Sequence, residues 1–150
     1  MIYTMQTKRA MRIAFQAHKD QVDKTGMPYV FHPFHLAEQM MDETSTCVAL
    51  LHDVVEDTDI TFDELLELGI SESVIGSLRI LTHDKNVPYA EYIQCIKDSG
   101  DEIAIAVKLA DLHHNSDLSR FELIDEKAIA SSGRYLDAID QLKGYKIECL

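Results

Sequence analysis

Ile103-Ala104-Ile105-Ala106-Val107 decides the fold. Five apolar residues in a row read either as a buried strand or as the middle of a buried helix, and periodicity alone does not separate the two. Ala104, Ala106 and Ala110 favour helix. Asp101 stands where it can cap one, and no segment elsewhere reads as a partner strand. The stretch is therefore expected to form one long helix through Lys108, Leu109, Asp111 and Asn115, and the fold to be all-α.

The flanking segments agree. Toward the C-terminus a last helix is expected from about Ser132 to Gly144, with Tyr135, Leu136, Ile139 and Leu142 inward. Toward the N-terminus, Pro88 opens a helix with Tyr92, Ile93 and Ile96 on one face, and Gly100 follows its end. Ser71 or Ser73 opens another through Leu81. Thr61-Phe62-Asp63-Glu64 fits a capping box, with Gly69 as the stop. A helix capped by hydroxyls near Thr44 to Thr46 carries Val48, Leu50, Leu51, Val54 and Val55. His32-Pro33 opens the helix before it, which runs to about Met41, because proline suits the first helical position. The first helix spans about Thr4 to Lys19, with apolar Met11, Ala14, Phe15 and Ala17 at a 3-4 spacing, and Asp23-Lys24-Thr25-Gly26 reads as a loop. The sum is seven or eight helices in a single bundle over residues 1–150.

A chain of 150 residues can bury a core without staples. No apolar run reaches membrane length, and Met1 to Arg12 mix apolar and basic groups too closely for a signal sequence. The net charge of −12 leaves no electrostatic footprint for duplex nucleic acid or an anionic membrane. It also repels phosphates, so any phosphate chemistry needs a bound cation or local Lys and Arg to reverse the sign. Cys47, Cys95 and Cys149 are few, odd in number and without a C-x-x-C. They are expected to be free thiols in a reducing cytoplasm, with Cys47 and Cys95 in the core.

Two polar constellations interrupt the apolar helices. In Leu50-Leu51-His52-Asp53-Val54-Val55-Glu56-Asp57, helical turning puts His52 and Glu56 about 40° apart, and Asp53 and Asp57 likewise. The stripe is either a solvated face or a ligand set, since imidazole and carboxylate suit a first-row divalent cation such as Mn²⁺ or Fe²⁺. In Lys108-Leu109-Ala110-Asp111-Leu112-His113-His114-Asn115, residues Lys108, Asp111 and Asn115 share a face. A carboxylate on so apolar a helix must be paired or bind metal. Lys108–Asp111 is the bland alternative, an ion pair at a helix edge. His113 and His114 have the ligand chemistry without a clear geometric partner. His18, His35 and His83 read as structural or surface residues, and His32 gains weight only where other ligands converge on it.

The order His32, His52-Asp53, Asp111 resembles the H…HD…D signature of the HD-domain metal phosphohydrolases. Three further blocks sharpen the likeness. They are Ala17-His18-Lys19-Asp20-Gln21 with Lys24-Thr25-Gly26, Pro28-Tyr29 and His32-Pro33; Ala49 to Thr58; and Lys108-Leu109-Ala110-Asp111. Together they resemble the hydrolase domain of the bifunctional stringent-response alarmone enzymes and their small stand-alone relatives, over about residues 3 to 142.

This resemblance implies an HD-domain helical bundle in which His32, His52, Asp53 and Asp111 bind one divalent metal, Mn²⁺ in the family, with Fe²⁺ or Co²⁺ as alternatives. Glu56 and Asp57 would orient or activate the attacking water. Lys24, Lys108, Asn115 and Tyr135 would face the substrate. The implied reaction removes the 3′-pyrophosphate from guanosine tetra- or pentaphosphate, a small nucleotide. No synthetase domain follows, so synthesis is not expected. A homo-oligomer is compatible with the sequence.

Two departures bear on the substrate. The family has Arg-Lys where this chain has Asp23-Lys24, and an Asp cannot stack on a guanine base as that Arg is expected to. Leu112 also stands at a basic position. The alternatives are a phosphohydrolase of the same fold acting on another nucleotide or phosphoester, and a non-enzymatic nucleotide-binding regulatory protein.

Overall fold

Short polar side chains set most of the helix starts, and the architecture follows from where those starts fall. A computed structural model describes residues 1–144; Cys149 lies outside the described residues. In chain order the helices are α1 (Met5–Ala17), α2 (Phe31–Glu38), α3 (Glu43–Leu51), α4 (Val54–Asp57), α5 (Phe62–Glu67), α6 (Glu72–Leu81), α7 (Tyr89–Ser99), α8 (Glu102–Ser116) and α9 (Glu126–Lys143). A 3₁₀ turn, Leu118–Arg120, lies between the last two. Thr4 and Thr61 close capping boxes over α1 and α5. The carboxylates of Asp42, Asp101 and Asp125 accept from the third amide of α3, α8 and α9. Each such cap satisfies a donor that the helix itself cannot. Gly69 follows α5 at φ +90°, a conformation that favours glycine, and its carbonyl accepts from Arg9 Nη1 at 3.2 Å.

Helix α3 is the axis of the bundle. Every residue from Ser45 to Leu51 is buried, because α1, α2, α6 and α8 pack around it. Burial of Leu50 and Leu51 contributes about 2 kcal/mol each relative to exposure. Ile103 to Val107 lies inside α8, so the ambiguous apolar run is helix. Among the described residues there is no strand, only an isolated bridge between Val22 and Pro28. No described helix is long and apolar enough to cross a membrane.

Among the described residues, eight α-helices longer than a single turn agree with the expected seven or eight; a ninth segment, the one-turn α4, arises because the expected third helix breaks at His52-Asp53. Other details of the sequence reading need correction. The cap of α3 is the Asp42 carboxylate, not a hydroxyl. Helix α2 starts at Phe31, one residue early, so Pro33 occupies the third position, where a missing N–H still costs nothing. Helix α9 starts at Glu126, six residues before Ser132, because Asp125 caps it. Leu136, expected inward, is 51% exposed. Cys47 is buried, but Cys95 is exposed on the side of α7 away from Tyr92, Ile93 and Ile96.

Candidate metal centre and nucleotide cavity

The break between α3 and α4 is what makes a site. A continuous helix would spread His52, Asp53, Glu56 and Asp57 along one stripe. The break instead buries His52 and half-buries Asp53, while Glu56 and Asp57 stay at the surface. The second residue of α2, His32, and the tenth of α8, Asp111, meet them there. His32 Nε2 lies 3.0 Å from Asp111 Oδ1 and 4.0 Å from Asp53 Oδ2. His52 Nε2 lies 2.9 Å from Asp53 Oδ2 and 3.7 Å from Asp111 Oδ1. The ligand atoms of His32, His52 and Asp53 all fall within 4.8 Å of one another.

One buried atom tests whether a cation fits here. His52 Nδ1 is 2.7 Å from the Ala49 carbonyl, which can only accept, so Nδ1 carries the proton. In the neutral ring Nε2 then presents a lone pair to two carboxylates. It is buried and has no hydrogen bond of good geometry. A cation at the centre of these atoms removes that conflict, and a set of two imidazoles and two carboxylates suits a first-row divalent ion. Without one, a proton must serve. Burial opposes the imidazolium, but Asp53 and Asp111 outweigh it and hold the His52 pKa well above its ordinary value. Burial likewise opposes the charged carboxylates, and is outweighed. The charge of His52 keeps Asp53 at about 2, and Lys108 keeps Asp111 well below the usual range.

The surrounding groups hold these ligands in place. The Tyr29 hydroxyl donates to Asp53 Oδ2. Lys108 Nζ pairs with Asp111 Oδ2 at 2.8 Å, and Asn115 Nδ2 donates to Asp111 Oδ1 at 2.8 Å. The ion pair and the cluster were alternatives in the sequence; here Asp111 takes part in both. Asp57, at the rim, is pushed up to about 6 by partial burial and by the neighbouring carboxylates of Asp53 and Glu56.

Two cavities flank the cluster. The larger, about 600 Å³, is lined by Tyr29 and His32 and by Lys24, Asn115, Arg120 and Tyr135. Lys24 Nζ donates to the Tyr135 hydroxyl at 3.4 Å, joining the loop after α1 to α9. The smaller, about 50 Å³, is lined by His52, Asp53, Glu56, Tyr89, Tyr92 and Lys108. Glu56 Oε1 accepts there from the His83 amide at 2.7 Å. Lys108 therefore lines the smaller cavity and not the larger, although it shares the Asp111 carboxylate with Asn115; its ammonium is 5.2 Å from the Tyr92 ring centre.

The two departures from the family pattern look different in three dimensions. Asp23 is not an uncompensated charge. Its Oδ2 pairs with Arg120 Nη2 at 3.0 Å, and its Oδ1 accepts from Thr25 N, Thr25 Oγ1 and Met27 N. Leu112 is fully buried, so position 112 faces the core. Two residues of the site escaped the sequence reading: Tyr29 in contact with Asp53, and Arg120 on the cavity wall. His114, for which the sequence offered no geometric partner, has one: its Nδ1 lies 2.6 Å from His32 Nδ1. Burial, then Arg120 and His32, push His114 down to about 4.

Comparison with known proteins gives the same picture. No family model matches the chain. Over 120 residues it is 34% identical to the bifunctional (p)ppGpp synthase/hydrolase SpoT of Escherichia coli K12, covering 72% of this chain and 17% of that protein. Over 64 residues it is 45% identical to a guanosine-3′,5′-bis(diphosphate) 3′-pyrophosphohydrolase of Aquifex aeolicus, covering 40% of this chain and 9% of that protein. The chain thus spans less than a fifth of the length of these curated relatives. A solved structure of a metazoan ortholog of SpoT, described as hydrolysing ppGpp and acting in starvation responses, superposes with a TM-score of 0.75 at 26% identity. It covers 96% of this chain and 89% of that one. The fold, the aligned sequence and the His–Asp cluster together give this chain an HD-domain fold like that of the (p)ppGpp hydrolases it is similar to.

Proposed function

We propose that residues 1–150 form one hydrolase domain that removes the 3′-pyrophosphate of guanosine tetra- or pentaphosphate, or of a closely related nucleotide. The observation that carries the reading is the convergence of His32, His52, Asp53 and Asp111 on one point, with His32 also in the wall of a 600 Å³ cavity. These four residues would hold one divalent ion, Mn²⁺ first, with Fe²⁺ and Co²⁺ sharing the same ligand preferences. When bound, that ion supplies a more acidic water and offsets phosphate charge, which answers the sign problem of a chain at −12.

The chain's own groups do the rest. Asp57, with a pKa near 6, takes a proton from the attacking water. Glu56, anchored by the His83 amide, fixes that water's approach. The water oxygen bonds to the phosphorus next to the ribose and the 3′ O–P bond breaks. Pyrophosphate leaves, and the nucleoside keeps a 3′-hydroxyl after gaining a proton. Lys24 and Asn115 line the wall beside the cluster and receive phosphate and nucleoside, with Tyr135 bracing Lys24. Lys108 acts by holding Asp111 ionised. The 600 Å³ of the larger cavity suits a small nucleotide, and the net charge of −12 suits neither duplex nucleic acid nor membrane.

A second reading, another phosphorylated nucleotide as substrate, is favoured by the Asp23–Arg120 pair on the cavity wall, where the family's loop arginine would stand. One experiment separates the two. Metal-stripped protein is incubated with guanosine 3′,5′-bis(diphosphate), with and without Mn²⁺, and products are resolved by chromatography beside a His52→Ala control. Mn²⁺-dependent release of guanosine diphosphate and pyrophosphate, absent in the control, is expected. Metal uptake without release moves the substrate to another nucleotide, and no metal uptake sinks the reading.

A further inference from the structure

His52 and His32 are held in two different ways. His52 donates its second nitrogen to a main-chain carbonyl, that of Ala49. His32 has no such partner. Its Nδ1 lies 2.6 Å from Nδ1 of His114, and the two rings are inclined by only 12° with centres 4.9 Å apart. Rings stacked face to face at that separation could not bring two nitrogens so close. The centre separation is close to the N···N distance plus two ring radii, so the imidazoles are nearly coplanar and meet edge to edge. One nitrogen's N–H points into the other's in-plane lone pair.

We infer that His114 is a positioning residue for the metal ligand His32, an assignment that rests on the metal reading above. A metal on His32 Nε2 leaves the His32 proton on Nδ1, so His114 must then be the acceptor, with its own proton on Nε2. The bond fixes the plane of the His32 ring and makes its Nε2 a better donor to the ion. His114 is itself held. Its carbonyl accepts from Arg120 Nη1 at 2.8 Å, and the His35 ring lies against it with centres 4.2 Å apart. The contact therefore ties α2 to α8 at the point where each supplies a ligand.

The test is the affinity for Mn²⁺ alone, measured by calorimetry on the full chain. His114→Leu, which removes the acceptor, is expected to weaken binding by about 10- to 100-fold. His114→Gln, whose side-chain oxygen can accept the same proton, is expected to recover most of that loss. The Co²⁺ form should show a displaced visible absorption band in the Leu variant and the wild-type band in the Gln variant. Equal Mn²⁺ affinity in His114→Leu and wild type overturns the inference while leaving the metal site intact, as does a Gln variant no better than Leu. A wild type that takes up no divalent ion overturns the metal reading and this inference together. Nitrogen-15 spectra of wild type loaded with Zn²⁺ decide the point without any variant. A His114 proton on Nε2 supports the assignment, and a proton on Nδ1 overturns it.

Discussion

Asp23 Oδ2 and Arg120 Nη2 lie 3.0 Å apart across 97 residues of sequence, joining the loop after α1 to the 3₁₀ turn after α8. The carboxylate also takes three local bonds, from Thr25 N, Thr25 Oγ1 and Met27 N. Burial works against its charge, but the Thr25 and Met27 bonds and Arg120 win, and its pKa is lowered. The ionised form is therefore favoured in the folded state. That contribution is complete above the unfolded value near 3.8 and is lost as pH falls through the folded pKa. Asp23→Ala is expected to cost about 1–2 kcal/mol at pH 7, with a shallower loss of stability below pH 4 than in wild type. Urea unfolding across pH checks this, and an unchanged midpoint at pH 7 would refute it.

Metal binding should be visible as stability. An ion that binds the folded cluster and not the unfolded chain stabilises by about 2.7 kcal/mol at a hundred times its dissociation constant. For a chain of this length that raises the melting temperature by about 5–10 °C. Calorimetric scans with Mn²⁺ and after chelation measure the difference. His52→Ala should abolish the shift, because it removes the nitrogen that stands between Asp53 and Asp111. A full shift in that variant would place the ion elsewhere.

Much of the site was legible in the sequence for a definite reason. His52, Asp53 and Asp111 sit inside apolar helical runs, where a polar side chain needs a purpose, and the break at His52-Asp53 brings them to His32. What could not be read lies in contacts between distant segments. Tyr29 reaches Asp53 across 24 residues, and His32 reaches His114 across 82, with no spacing rule to announce either. Face assignment failed at face edges. Leu136 is one step past the buried arc of Ser132, Ala138, Ile139 and Leu142. Cys95 has apolar neighbours in sequence, yet lies about 100° around the helix from Ile96.

In its proposed role as the base, Asp57 ties activity to stability with opposite signs. A carboxyl pushed up to about 6, by burial first and then by Asp53 and Glu56, favours its neutral form in the folded state. The folded state therefore loses stability as pH rises from the unfolded value near 3.8 through 6, and stays less stable above that. The base, however, works only when ionised. Asp57→Asn is expected to melt higher than wild type at pH 8 and to lose the rise of kcat/KM between pH 5 and 7, along with at least about 100-fold of the rate. A variant that is both slower and less stable would remove Asp57 from the role of base.

The two described thiols should differ in reactivity by their place on the bundle. Cys47 is buried in α3, and burial first, then Glu43 and Asp42 near the start of the same helix, push its thiol up to about 12. Thiolate is the reactive form, so Cys47 is shielded both by packing and by protonation. Cys95 faces solvent on α7. In a Cys149→Ser background, iodoacetamide at pH 8 is expected to modify Cys95 within minutes and to leave Cys47 untouched until denaturant is added. Peptide mass mapping reads both sites. Modification of Cys47 in the folded protein at a rate near that of Cys95 would mean that α3 opens to solvent on that timescale, and that the axis of the bundle is less firmly packed than its burial implies.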